Sequence, residues 1–277
     1  MRQIHNGSSR RIFLKRFTLG SASLVILPSC AQEDLPQLTV DFREVRNPKN
    51  PKRYRGKYTP PAGKFKFQDI KHGGNTRRVH YYTPRKTAAT SILLLLHGSN
   101  RDGPTMLDMW QNEAERNGIL LIAPSSRNPR NWSFDSDGIS FMKSAVSEIS
   151  EANSMSPAPI YGFGHSAGAI FMTHLSIRYG DYFKAAAVHA GAPSAATLES
   201  YYKYKKPRAP LTHFLGDKDH IFPVGNAKAA SEVQAAQGQA ISLVVIKNHN
   251  HWYYDLAPFI NKQAWAAMTK ISRLGPL

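Results

Sequence analysis

Two residues to either side of Ser166 stand glycines, in the run Gly164-His165-Ser166-Ala167-Gly168. A serine spaced in this way, between a strand and a helix, suits a sharp turn that lifts its hydroxyl into solvent as a nucleophile. The same five residues would also serve as a glycine-rich bend, so partners decide the reading. A serine hydroxyl attacks a carbonyl only when a base removes its proton and an acid orients that base. Downstream, Gly216-Asp217-Lys218-Asp219-His220-Ile221-Phe222-Pro223 offers two carboxylates. Asp219 occupies the acid position of a GxxDxxxP pattern, with Asp217 as the alternative and His220 read as a solvent-facing residue. Further on, Lys247-Asn248-His249-Asn250-His251-Trp252 offers two histidines, only one of which can be the base. A His-x-His pair can also hold a metal, but no third ligand cluster of suitable spacing stands near it in sequence.

These residues need a scaffold that brings them together, and the pattern supplies one. Ser91–Gly98 (SILLLLHG) and Ile119–Pro124 (ILLIAP) are continuous apolar runs, as expected of strands buried on both faces of a parallel sheet. Lys64–Ile70 and Arg77–Pro84 read as strands joined by a turn at His72-Gly73-Gly74-Asn75. Leu107, Trp110 and Ala114 share one helical face, as do Ile139, Met142, Val146 and Ile149, with Ser136 or Asp137 as the expected cap of the second helix. A strand ending near Phe163, a helix over 167–179, and strands over 185–191, 211–216 and 241–246 follow, with helices over 227–236 and from 255. Strand and helix alternate throughout, which predicts an α/β fold with a mostly parallel central sheet, helices on both faces and no large lid. In that frame Ser166 opens a helix, and the Ala167 amide at the helix N-terminus is placed to donate to an oxyanion.

From Lys64 to the end the chain resembles the α/β-hydrolase superfamily, in its polyhydroxybutyrate depolymerase, feruloyl esterase and esterase D group. The resemblance rests on Leu93–Asn100 (LLLLHGSN), Gly164–Gly168 (GHSAG), Gly216–Pro223 (GDKDHIFP) and His251–Ile260 (HWYYDLAPFI). It implies His251 as the base, leaving His249 as a neighbour, and a second oxyanion donor from the backbone of Ser99. It also implies a serine esterase that forms an acyl-enzyme on Ser166 and uses no cofactor. His97 and His165 read as supporting residues, and Trp252, Trp132, Tyr253 and Met106 as pocket or core. The expected substrates are short acyl, hydroxyacyl or carbohydrate esters. A serine peptidase of the same architecture, or a silent binding protein, is the competing reading.

The amino terminus carries a different message. Ser9–Lys15 (SRRIFLK) precedes an apolar stretch over 17–27, too short and too rich in Gly and Ser to span a bilayer. The pair Arg10-Arg11 resembles the twin-arginine signal read by an export translocase. Leu27-Pro28-Ser29-Cys30 resembles a lipobox, which makes Cys30 the expected lipidation site and residues 1–29 the export signal. Cys30 is the only cysteine, so no internal disulfide can form. Residues 30–63, rich in Pro, Lys and Arg, read as a basic tether or strap before a catalytic domain over 64–277. The net charge of +17 admits anionic partners. Beside a lipid anchor, anionic headgroups or envelope polymer explain the charge better than nucleic acid does, so no nucleic-acid partner is expected. The protein is therefore expected to be exported and held at the bacterial cell envelope, periplasmic or outer.

Overall fold

In the computed structural model, continuous apolar runs become the interior of one sheet. The structure describes residues 38–48, 58–60, 62–155, 157–202 and 207–273, all within one compact unit, Leu35–Leu277. The segment expected as an export signal, residues 1–29, and the expected lipidation site Cys30 lie outside the described residues.

Nine strands form the sheet: β1 (Asp41–Arg46), β2 (Lys66–His72), β3 (Asn75–Tyr82), β4 (Ser91–Leu96), β5 (Ile119–Pro124), β6 (Ile160–His165), β7 (Ala185–His189), β8 (Leu211–Gly216) and β9 (Ile241–Lys247). Their spatial order is β1-β9-β8-β7-β6-β4-β5-β3-β2. Pairing is parallel from β1 to β5, while the β2–β3 hairpin is antiparallel and β3 pairs antiparallel with β5. The hairpin turns at Gly73-Gly74, both with positive φ, which glycine adopts at no steric cost.

Alternation along each strand separates two cores. Leu93 and Leu95 of β4 and Tyr161 and Phe163 of β6 face α1 (Gly103–Asn117) and α7 (Ala257–Arg273) through Leu107, Trp110, Ile260 and Trp265. Ile92, Leu94 and Leu96 face the other way, onto α3 (Ile139–Ala152) and α4 (Ala167–Arg178) through Met142, Val146, Met172 and Leu175. A six-residue apolar run serves both layers because neighbouring side chains point to opposite faces. Asp102 caps α1 by accepting from the Thr105 amide, and Gly118 ends it in the left-handed region.

Three expectations need correction. Within the stretch expected as a tether, Asp41–Arg46 forms β1, paired parallel with β9, and Tyr58 packs in the core. The sequence DFREVR hides this because an edge strand needs only backbone pairing, and its side chains stay largely exposed. Neither Ser136 nor Asp137 caps α3. Both fall in the short α2 (Phe134–Asp137), capped by Ser133, and α3 starts after Gly138 without a side-chain cap. Finally, α5 (Ala195–Tyr201) was not expected; it packs against α4 and against α6 (Val224–Ala236), the helix expected over 227–236, which lies beside β9.

Candidate active site

Every strand end that points to the same edge of a parallel sheet delivers its following loop there, and four of these loops carry the predicted residues. Ser166 follows β6 with φ 53° and ψ −118°, a left-handed conformation that costs a non-glycine residue strain. Its amide donates to the His189 carbonyl at 2.9 Å, and its carbonyl accepts from Ala169 and Ile170, starting α4. Its hydroxyl caps no amide of that helix and is free for another partner. The flanking glycines permit the turn: a Cβ on Gly164 would be driven into the Gly168 carbonyl, and one on Gly168 into the Leu96 and His97 carbonyls.

That partner is His251, whose Nε2 lies 3.0 Å from Ser166 Oγ. On the far side of the ring, Nδ1 lies 2.9 Å from Asp219 Oδ2. The Asp219 side chain is fully shielded from solvent. Its other oxygen accepts from the Ile221 and Phe222 amides, each at 2.9 Å. Burial pushes this carboxyl up, but the His251 hydrogen bond and the two amides outweigh it and hold it below its ordinary value. An ionised Asp219 can only accept, so Nδ1 carries the proton and Nε2 turns its lone pair to the serine. Phe222 stacks on the His251 ring at 5.7 Å and limits its rotation.

Asp217, the alternative acid, forms no hydrogen bond or ion pair with His251, which is paired with Asp219 instead. The Asp217 Oδ1 accepts from the Asn248 amide at 2.6 Å, while Lys218 donates to the His249 carbonyl, so this loop holds the histidine loop by its backbone. His220 is exposed. His249 is buried and turned away from Ser166, its Nε2 lying 3.0 Å from His189 Nε2.

After β4, His97 accepts from the Ser126 amide at Nε2 and therefore donates from Nδ1, to the Gly98 carbonyl at 2.8 Å. Burial lowers its pKa and keeps it neutral. Arg101 donates to the same carbonyl. In a trans peptide the C=O and the following N–H point opposite ways, so anchoring Gly98 fixes the direction of the Ser99 N–H. Among the described residues the amides of Ser99 and Ala167 donate to no protein carbonyl, whereas the Ser99 hydroxyl is engaged by the Arg130 carbonyl at 2.6 Å. These two amides can receive negative charge developing next to Ser166.

Of the aromatic candidates, Met106 and Tyr253 are fully buried core, and Trp132 is held by its indole N–H on the His97 carbonyl. Trp252 stays half-buried beside His251, within cation–π range of Arg101. His165 packs between His189 and Tyr253. Sequence reasoning missed His189, which lay in an apolar strand with no motif around it.

Comparison with known proteins places the fold. No family model matches the chain, and no curated protein matches it by sequence. Solved structures do match: esterase PE8 at 19% identity and TM-score 0.56, covering 69% of this chain and 97% of that one. An S-formylglutathione hydrolase from Agrobacterium tumefaciens matches at 12% identity and TM-score 0.60, covering 75% and 94%. An acetyl xylan esterase from Aspergillus awamori matches at 14% identity and TM-score 0.58, covering 68% and 94%. The chain has the α/β-hydrolase fold, and its structural neighbours are esterases and other serine hydrolases.

Proposed function

We propose that the protein is a serine carboxylic-ester hydrolase in which Ser166 is the nucleophile, His251 the base and Asp219 the orienting acid. The observation that carries this reading is the unbroken line Ser166 Oγ–His251 Nε2, His251 Nδ1–Asp219 Oδ2, starting from a serine on a strained turn. Ser166 attacks the ester carbonyl as His251 takes its proton. The tetrahedral oxyanion is met by the amides of Ser99 and Ala167. His251 then passes the proton to the leaving alcohol, which departs and leaves an acyl-enzyme. Water, deprotonated by the same His251, attacks that acyl group; the acid leaves and Ser166 regains its proton.

The substrates on this reading are short acyl, hydroxyacyl or carbohydrate esters. Short links support it, since only residues 97–102, 217–223 and 248–256 separate β4, β8 and β9 from the next helices. The twin-arginine-like segment and the lipobox-like Cys30 support a place at the bacterial envelope, with a lipid anchor. The test is fluorophosphonate labelling, with turnover of p-nitrophenyl esters of graded chain length, acetylated and feruloylated carbohydrate, and peptide amides. Ser166 takes the label, and Ser166→Ala loses at least about 10³-fold in kcat. An unlabelled Ser166, or a fully active Ser166→Ala, sinks the proposal; preference for peptide amides moves it to the peptidases.

A further inference from the structure

Behind the Ser166–His251 pair runs a second line of imidazoles. His165, the last residue of β6, has Nδ1 3.1 Å from Nδ1 of His189, the last residue of β7. His189 Nε2 in turn lies 3.0 Å from Nε2 of His249, two residues before His251. All three rings are buried, and Tyr253 stacks on His165 and tilts against His189.

The chemistry fixes the direction of this chain. His165 Nδ1 also lies 3.3 Å from the His189 carbonyl, which can only accept, so His165 Nδ1 carries a proton. His189 Nδ1 is then the acceptor of that shared N–H, and its own proton sits on Nε2. His249 accepts it at Nε2 and keeps its proton on Nδ1. Three neutral rings are thus joined by donors and acceptors that match without any charge.

The chain also ties together strained backbone. Of the five non-glycine residues with positive φ among the described residues, three border these histidines: Ser166 after His165, Ala190 after His189 and Asn248 before His249, at 53°, 52° and 55°. Such conformations persist only where surrounding contacts over-determine them. At the centre of this bracing, the His189 carbonyl holds the Ser166 amide and its imidazole holds both neighbouring loops.

We propose that His189 is a positioning residue: bonded to His165 on the nucleophile strand and His249 on the base-bearing loop, it holds Ser166 and His251 in register for proton transfer. The inference rests on the serine-hydrolase reading above. It needs no contact between His189 and substrate. A misplacement of about 1 Å between reacting groups costs on the order of 10²-fold in rate, so the brace acts on kcat and leaves substrate binding alone.

The experiment compares wild type with His189→Phe, which keeps a planar ring and deletes both ring nitrogens, and His189→Gln, which retains a donor toward His249. Each is followed by thermal unfolding, p-nitrophenyl acetate kinetics and the rate of fluorophosphonate labelling. A folded His189→Phe loses about 10- to 100-fold in kcat, with KM within about twofold and labelling slowed in parallel. His189→Gln recovers part of that loss. Wild-type kcat and labelling rate in folded His189→Phe overturn the proposal, as does a KM effect without a kcat effect. Where His189→Phe does not fold, His249→Phe cuts the chain at its other end and is judged by the same numbers. Wild type that takes no label fails the hydrolase reading itself; a labelled wild type matched by an equally fast His189→Phe fails only the positioning role.

Discussion

Asp217 and Asp219 sit two residues apart on one loop, yet only Asp219 brings an oxygen to an imidazole. The difference predicts the outcome of two matched substitutions. In Asp219→Asn, the two amides of Ile221 and Phe222 claim the side-chain oxygen. The new NH₂ must then face His251 Nδ1, which forces the ring's proton onto Nε2 and removes the lone pair that Ser166 needs. We expect kcat to fall about 10⁴-fold with little change in KM. Asp217→Asn keeps an acceptor for the Asn248 amide, and its kcat stays within about tenfold of wild type. Steady-state kinetics on one p-nitrophenyl ester decides, and equal losses in the two variants would contradict the assignment. At this scale the sequence is readable where chemistry is local: the glycines around Ser166 announce their turn. It is silent on His249 against His251, because two histidines separated by one residue differ only in what lies across the sheet from each. His189 was hidden for the same reason, its partners being 24 and 60 residues away.

Arg77 shows how elements of different periodicity are locked together. It leaves β3, lies 3.7 Å over the Phe141 ring of α3 and pairs with the buried Asp137 of α2 at 2.8 Å. Its guanidinium also donates to the Ser125 and Ser136 carbonyls, each at 2.6 Å. Asp137 accepts from the Arg127 and Ser133 amides, so one ion pair holds the loop that carries Trp132 against the sheet. Arg77→Met fills much of the volume and strands a buried carboxylate; we expect a loss of about 3 kcal/mol, read as a lower urea midpoint with an unchanged slope. A change below about 0.5 kcal/mol would show that Asp137 is satisfied by amides alone. Buried strands and amphipathic helices were legible because packing writes its period into the sequence. The edge strand β1 and the short α2 and α5 were not. Their stability comes from pairing with β9, from the Arg77–Asp137 pair and from packing against neighbouring helices. None of these leaves a periodic trace.

The molecule as a whole carries a formal charge of +17 while keeping several of its eleven histidines buried and neutral. Burial pushes His165 and His174 down to about 3, and His213 and His249 down to about 4. His189 is pushed well below its ordinary value by burial and by the neighbouring imidazoles, and burial lowers His97 as well. In the unfolded chain each of these rings takes a proton near pH 6.5. The folded state refuses it until the pH is far lower, so the unfolded chain binds more protons throughout that window. Stability is therefore fully present above about pH 6.5 and is lost as the pH falls toward the folded values near 4 and 3. Each refused proton contributes about 1.4 kcal/mol per pH unit. His165, His174, His189, His213 and His249 each add to this, so stability falls steeply with falling pH near about pH 5. A cation on any ring of the coupled chain would also break its donor–acceptor sequence, so unfolding and loss of turnover should set in together on the acid side. Urea unfolding at half-unit steps from pH 7.5 to 4.5 tests this. The midpoint should hold above about pH 6.5 and then fall steeply, with the denaturant slope unchanged. A midpoint that stays level down to pH 5 would mean that these rings are protonated in the native state and that the neutral chain joining the two loops does not exist.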